Sequence, residues 1–246
     1  MNRRVLALLA LAALVFLSGC TLFGNDLDED DLLGDKTYDW ESNATATYNL
    51  TYSSDSYATV LDLGNRTELS LSESDLIRGE ESVGIGNLKF QFKNGTIVNA
   101  TYSNLTASRG SDKTKITVPA TNGTVAWTSQ RSGKQWTASV LANGSHKVHL
   151  PGSARVGIPF LSQTGPDPDR STVKDDRVTL FWSQLDDGSI SVRYYLVRDL
   201  YLFGGMAGLG MILLLGISLY YFREIRSARK KREEVGLDVE QEDDAD

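Results

Sequence analysis

Twenty-three consecutive uncharged residues, Leu200–Phe222 (LYLFGGMAGLGMILLLGISLYYF), bracketed by Asp199 and Arg223, constrain this chain more than any other feature. At about 1.5 Å per residue, a helix of that length covers the ~30 Å hydrocarbon core of a bilayer. Tyr201 and Phe203 lie at one end and Tyr220, Tyr221 and Phe222 at the other, where amphipathic rings favour the headgroup level. A basic cluster follows: Arg223, Arg226, Arg229, Lys230, Lys231 and Arg232. The positive-inside rule then puts the C-terminus in the cytoplasm and residues 21–198 outside. A buried core helix is the competing reading, and length, flanks and aromatic ends all disfavour it.

The other apolar stretch is shorter. Asn2-Arg3-Arg4 forms a charged n-region before Val5–Leu17, 13 apolar residues that are too few to span comfortably. It ends in Leu17-Ser18-Gly19-Cys20, which resembles a lipobox whose cysteine sulfur carries a diacylglycerol. Cys20 is the single cysteine of the chain, so no intramolecular disulfide can form. An ordinary cleaved signal, or an uncleaved first span, remains compatible with the same residues. Arg3-Arg4 fits both twin-arginine and general export. Lipid at Cys20 and the helix from Leu200 would hold the mature protein at both ends, and two acyl chains make a stable anchor.

Between the anchors the chain reads as β structure. Residues 20–44 are expected to be the lipidated cysteine and an acidic, solvated tether. From Thr45 the period is two, with Ala46, Tyr48, Leu50 and Tyr52 alternating with polar residues. Similar short runs cover Tyr57–Leu63, Thr67–Leu71, Leu88–Phe92, Val98–Tyr102, Ile116–Val118, Val125–Trp127, Trp136–Val140 and Val148–Leu150. Asn94-Gly95, Asn122-Gly123 and Asn143-Gly144 are expected turns, the first of type I′. Ala154–Leu161 is a further apolar run, 163–176 a polar loop, and Val178–Trp182 with Ser189–Val197 a last pair joined around Asp186-Asp187-Gly188. About ten short strands with frequent turns and no helix before Leu200 predict an antiparallel β-sandwich or barrel over 45–198. A transmembrane helix over 199–222 and a basic, then acidic, tail over 223–246 complete the expected organisation. With two residues between the last strand and the helix, the β domain is expected close to the membrane surface.

Residues 21–199 carry 23 acidic and 17 basic side chains, a balance that argues against nucleic acid as a partner. The same stretch holds eight Asn-X-Ser/Thr sites: Asn43, Asn49, Asn65, Asn94, Asn99, Asn104, Asn122 and Asn143. Chance would give about two, so these asparagines are N-glycosylation candidates, although Asn-Gly turns generate such sites as a by-product. In the apolar helix, Gly204 and Gly208 form G-x-x-x-G with Gly216 further along, a pattern that permits close helix pairing.

Chemistry is hard to find. His146 and His149 are three apart, which on a strand sends them to opposite faces and disfavours a shared metal. Asp26, Asp28, Glu29, Asp30 and Asp31 lack a calcium-loop frame. Asp167, Asp169, Asp175 and Asp176 read either as a calcium loop or as a solvated acidic turn. Trp40, Trp127, Trp136 and Trp182 are expected in the core rather than on a sugar-binding platform. No Gly-x-Ser-x-Gly turn or phosphate-binding loop is present. No catalytic residue, metal site or cofactor is therefore assigned.

Leu17-Ser18-Gly19-Cys20, Phe92-Lys93-Asn94-Gly95-Thr96, the juxtamembrane SVRYYLVRDLYLFGG (Ser191–Gly205) and REEVGLDVE (Arg232–Glu240) carry a resemblance. By these the chain is similar to a family of haloarchaeal membrane-anchored lipoproteins of unknown function. The resemblance implies an archaeal surface location and supplies no activity or functional residues. The expectation is a non-enzymatic cell-surface lipoprotein. Its β domain contacts membrane lipid nearby and another membrane or envelope protein, or the chain self-associates through the helix. An envelope hydrolase with dispersed residues and an extracellular glycan- or calcium-binding module are the alternatives.

Overall fold

The computed structural model describes residues 27, 29–50, 55–75 and 79–242. The chain divides into two compact units, Met1–Tyr194 and Tyr195–Asp246. The first is built from strands and the second is dominated by one helix, the expected all-β domain followed by an apolar helix.

The largest sheet has eight strands: β1 (Ala46–Leu50), β2 (Ser56–Asp62), β5 (Ile85–Phe92), β6 (Ile97–Asn99), β9 (Gly123–Gln130), β11 (Gly144–His149), β14 (Arg170–Lys174) and β15 (Arg177–Leu185), in the order β14-β15-β11-β1-β2-β9-β5-β6. A four-stranded sheet, β4-β3-β8-β7, comprises β3 (Glu68–Asp75), β4 (Gly79–Ser82), β7 (Thr106–Arg109) and β8 (Thr114–Thr117). A three-stranded sheet, β10-β16-β13, comprises β10 (Gln135–Ser139), β13 (Gln163–Gly165) and β16 (Ser189–Arg193). The two-residue β12 (Ala154–Arg155) precedes β13. Among the described residues of these three sheets, pairing is antiparallel except between β1 and β11, which run parallel.

Cross-strand register explains the core. Tyr48 lies opposite Thr59, Thr59 opposite Trp127, and Ala46 opposite Leu61. Ala46, Tyr48, Leu50, Leu61, Val125, Trp127, Val148 and Leu180 therefore share one face, and all are buried. The alternation from Thr45 onward is that face. Central β2 departs from strict alternation because its other face is buried as well: Ala58 and Val60 pack with Ala126, Tyr38 and the half-buried Trp40.

That second cover corrects the tether expectation for the described stretch from Glu29 onward; residues 20–26 lie outside the described residues. A single helical turn, α1 (Glu29–Leu32), and the chain after it lie against the large sheet, with Leu32 and Tyr38 buried. The Tyr38 hydroxyl donates to the Asn87 carbonyl at 2.7 Å, and Lys89 reaches Asp35 at 3.4 Å. Widely spaced single apolar residues carry no period, but they suffice to cover an exposed sheet face.

Turn chemistry is redistributed too. Asn94-Gly95 joins β5 to β6, yet only Gly95 has positive φ (84°), so the loop is a Phe92–Gly95 turn ending in a left-handed glycine and not type I′. The two-residue turn with positive φ at both positions is Asp175 (50°) and Asp176 (59°), between β14 and β15. Residues 163–176 thus contain two strands and a hairpin turn instead of one polar loop. Neither Asn122-Gly123 nor Asn143-Gly144 closes a hairpin, because the strands flanking each belong to different sheets. The same holds for the expected last pair: β15 and β16 separate across Asp186-Asp187-Gly188 into the large and the three-stranded sheets. After β6 the chain turns at Asn99–Tyr102, leaving Tyr102 42% exposed instead of on an inner face. Beyond Arg155, the run to Leu161 is a loop.

In the second unit the two-residue β17 (Tyr195–Leu196) leads into α2 (Val197–Glu242), one continuous helix. Its segment Val197–Lys231 is long and apolar enough to cross a membrane, with mean hydropathy 2.1 in its most apolar window and none of that window buried. The helix starts two residues before the expected span and absorbs the basic cluster, whose side chains favour helix as readily as they favour a solvated tail.

Gly123 tests the register. A methyl there would enter the Phe90 ring and stand 2.6 Å from the Gln91 carbonyl oxygen, which a side-chain shift cannot relieve. Gly123→Ala is expected to lower unfolding stability by about 1–3 kcal/mol, measured by denaturant titration.

Candidate functional site

Three sheets converge on one cleft. Tyr48, Tyr57, Thr59 and Trp127 come from the inner face of the large sheet. β3 adds Leu71, Ser72 and Glu73, and the β10–β16 pair adds Thr137, Ala138, Ser139 and Ser189. The space is about 170 Å³. The Ser139 hydroxyl donates to the Ser72 carbonyl at 3.1 Å, tying two of the sheets across the rim. A second recess of about 300 Å³ shares Tyr57, Glu73 and Thr137 and is walled by Gln130, Gln135 and Trp136.

The lining is aromatic and hydroxylic. Tyr48 and Trp136 rings lie 4.9 Å apart, Tyr57 meets Trp136 edge-on at 5.5 Å, and His146 stacks on Tyr48 at 6.2 Å. The Tyr48 hydroxyl and Thr59 Oγ1 are buried with no hydrogen-bond partner among the described residues. Unmet groups of this kind cost about 1–3 kcal/mol each when dry. Burial pushes the phenols of Tyr48 and Tyr57 above their ordinary 10.0, so both remain protonated at neutral pH. Exposed Glu73 supplies a carboxylate where the two spaces meet. This surface can hold a small uncharged molecule by ring contacts and hydroxyl hydrogen bonds. A buried ion would meet no opposite charge among the described buried residues of the first cleft.

The two histidines have separate surroundings. His146 is fully buried, and its Nδ1–H donates to the Gly144 carbonyl at 3.1 Å, leaving Nε2 as a buried acceptor with no partner among the described residues. Burial lowers its pKa, opposed by the Gly144 hydrogen bond. His149, on the opposite face of β11, places Nδ1 2.8 Å from Thr179 Oγ1. Burial lowers its pKa as well, followed by the positive charges of Lys147 and Arg177.

The acidic cluster is divided among local partners. Asp169 accepts from the Ser183 amide at 2.7 Å and from the Ser183 hydroxyl, and these hydrogen bonds hold its pKa low. Asp176 accepts from Ser153 at 2.6 Å and pairs with Arg155 at 2.5 Å, with the same result. Asp167 accepts from Thr164 at 3.2 Å. The loop is pinned by these bonds, and its carboxylates do not converge on one point.

Six of the eight sequon asparagines, Asn43, Asn65, Asn94, Asn104, Asn122 and Asn143, are exposed. Asn49 and Asn99 are half-buried: Asn49 accepts from Arg177 at 2.7 Å, and Asn99 accepts from the Thr101 hydroxyl at 2.6 Å. Around Gly204, Gly208 and Gly216 there is open space where a Cβ would stand. Cys20 lies outside the described residues. Trp127, Trp136 and Trp182 are buried as expected for core residues, and the first two line the cleft and its neighbour. Sequence reasoning passed over Thr59 and Glu73. Thr59 carried a signal, a hydroxyl at an inward position inside the apolar run Tyr57–Leu63; Glu73 carried none.

The architecture defines a class: a β domain followed by a C-terminal apolar helix of membrane-spanning length, compatible with a membrane-anchored protein. Within that class, the chain belongs to DUF5803, a family of unknown function, whose model matches residues 42–240. No curated protein matches the chain. Among solved structures it is similar to two crystal structures of the M1 zinc metallopeptidase from Deinococcus radiodurans, one a mutant bound to a Tyr-Ser-Ala substrate. Each shares 12% identity, with 60% of this chain and 41% of that chain covered, at a TM-score of 0.35. The chain spans less than half of those proteins, and the likeness is too low to carry an argument.

Two measurements probe the cleft. Tyr48→Phe removes an unpartnered buried hydroxyl without changing ring packing, so the melting midpoint is expected to hold or rise, by up to about 1 kcal/mol in stability. The pH dependence follows from the histidines. A base with folded pKa below its unfolded 6.5 binds fewer protons when folded, so its contribution is whole above that value and is lost as pH falls through it toward the folded pKa. Thermal melts are expected to be level above about pH 7 and to fall toward pH 5, with His146→Gln reducing that slope. Asp169 and Asp176 act below 3.8 and leave this window clear.

Proposed function

We propose that this protein is a non-enzymatic, archaeal cell-surface lipoprotein that presents its β domain close to the outer face of the membrane for contact with other envelope or membrane proteins. Lipid on Cys20 and the helix from Val197 anchor it, with the β domain outside and the C-terminus in the cytoplasm. The observation that carries this reading is the helix itself. None of its most apolar window is buried, and it begins four residues after Arg193, the end of β16. Six basic residues between Arg223 and Arg232 support the orientation. Glycans on some of the exposed sequons would shield strand edges such as fully exposed β14. Gly204, Gly208 and Gly216 offer a helix face for self-association or for pairing with a partner's span.

The cleft favours a second reading, an extracellular module that binds a small uncharged ligand. Its unpartnered Tyr48 and Thr59 hydroxyls are the specific observation behind it. Soaking with candidate sugars and following Trp127 and Trp136 fluorescence tests that reading directly.

The test of the leading proposal is cross-linking in native membranes with a C-terminal tag, mild-detergent purification and mass spectrometry. A stoichiometric partner is expected, reduced at least several-fold when Gly204 and Gly208 are replaced by isoleucine or when the β domain is deleted. Recovery of the protein alone under several cross-linkers would overturn the interaction role.

A further inference from the structure

We propose that the loop Gly157–Ser162 is a third membrane contact, a short apolar wedge that inserts into the lipid interface. The inference rests on the reading of α2 as a membrane span and adds a site to it.

The loop shows its apolar residues to solvent. Phe160 is 94% exposed, Ile158 37% and Leu161 39%. Val156–Pro166 is eleven residues without a charge in a chain with a net charge of -7. Exposed singly, such residues are ordinary; grouped at the tip of one loop they mark a contact surface.

The loop is also built to hold that shape. The Ile158 carbonyl accepts from the amides of Leu161 (3.2 Å) and Ser162 (3.0 Å) and from the Ser162 hydroxyl (3.0 Å). The Ser162 hydroxyl in turn accepts from the Gly157 amide at 2.8 Å. Gly157 (φ 107°) and Phe160 (φ 72°) both take left-handed backbone, a conformation bulky residues rarely adopt. A closed ring of hydrogen bonds thus keeps a phenylalanine side chain in water, which a loop free to rearrange would avoid.

Topology places the wedge. β13 leaves the loop at Gln163, and Gln163 pairs with Arg193, the last residue of β16. The loop therefore emerges at the end of the three-stranded sheet from which the chain departs. From Arg193 to Val197 is four residues, at most about 14 Å of extended chain. The same sheet end carries the Arg131–Lys134 loop: Gln135 also pairs with Arg193, the Tyr194 amide donates to the Lys134 carbonyl at 3.0 Å, and Arg131 donates to the Tyr194 hydroxyl at 3.0 Å. Arg131, Lys134 and Arg193 thus lie around the exit, with exposed Asp55, whose carbonyl accepts from the Arg131 amide, and exposed Glu73, which lines the same recess as Arg131, as acids near it. An apolar tip beside basic side chains complements an anionic lipid surface better than it complements a protein groove.

The experiment uses the full chain in nanodiscs of anionic lipid that carries a diazirine in the acyl chain, with photolabelled peptides mapped by mass spectrometry. Label is expected on 156–162 and on the α2 span, and at least five-fold less on exposed Val173 of β14. Phe160→Asp is expected to cut loop labelling at least five-fold with an unchanged melting midpoint, and Phe160→Trp to retain it. A labelled span with an unlabelled loop, label equal on the loop and Val173, or loop cross-links to protein only would each overturn the wedge and leave the anchoring reading standing. An unlabelled span would overturn both.

Discussion

Double-sided burial of β2 is the constraint on which the rest of the β domain depends. A strand flanked by β1 and β9 and covered on both faces cannot expose Ala58, Val60 or Leu61 without losing apolar burial worth ~25 cal/mol per Å². Each cover has its own source. The N-terminal segment with Tyr38 and Trp40 lies on one face, and the smaller sheets occupy the other. No disulfide is possible in a chain with one cysteine, so this packing is what holds the domain.

The cleft follows from the same arrangement. Three sheets with different strand directions meet over Tyr48, Tyr57 and Trp127, and side chains from three twisted surfaces leave a space that two facing sheets would close. Hydroxyls left unpartnered there are a local departure from the rule that buried polar groups are bonded. Such departures belong where a protein binds something or where a residue was kept for reasons other than stability.

Much of the fold was legible residue by residue. The inner face Ala46, Tyr48, Leu50 was readable because a half-buried strand repeats every two residues, and the helix because its length and lack of charge match a bilayer. Pairing was not legible. Asn143-Gly144 has the composition of a hairpin turn, yet the chain there crosses from the three-stranded sheet to the parallel β1–β11 pair. Conversely, Asp175-Asp176 closes a hairpin with two left-handed residues that have side chains and were read as part of an acidic loop. Of the cleft, the tryptophans and Tyr48 were placed correctly in the core, whereas Glu73 came to the site only through the packing of β3.

By itself the sequence determined the β character of residues 46–193, the apolar helix and the charge on either side of it, because each depends on neighbours a few residues apart. Only the tertiary structure decided which strands share a sheet, that Tyr38 covers one, and that the apolar run after Arg155 is a solvent-facing loop beside the chain's exit. The physical reason is that backbone hydrogen-bond ladders accept almost any sequence as a partner. The choice among partners is made by how side chains far apart in the chain fill one core.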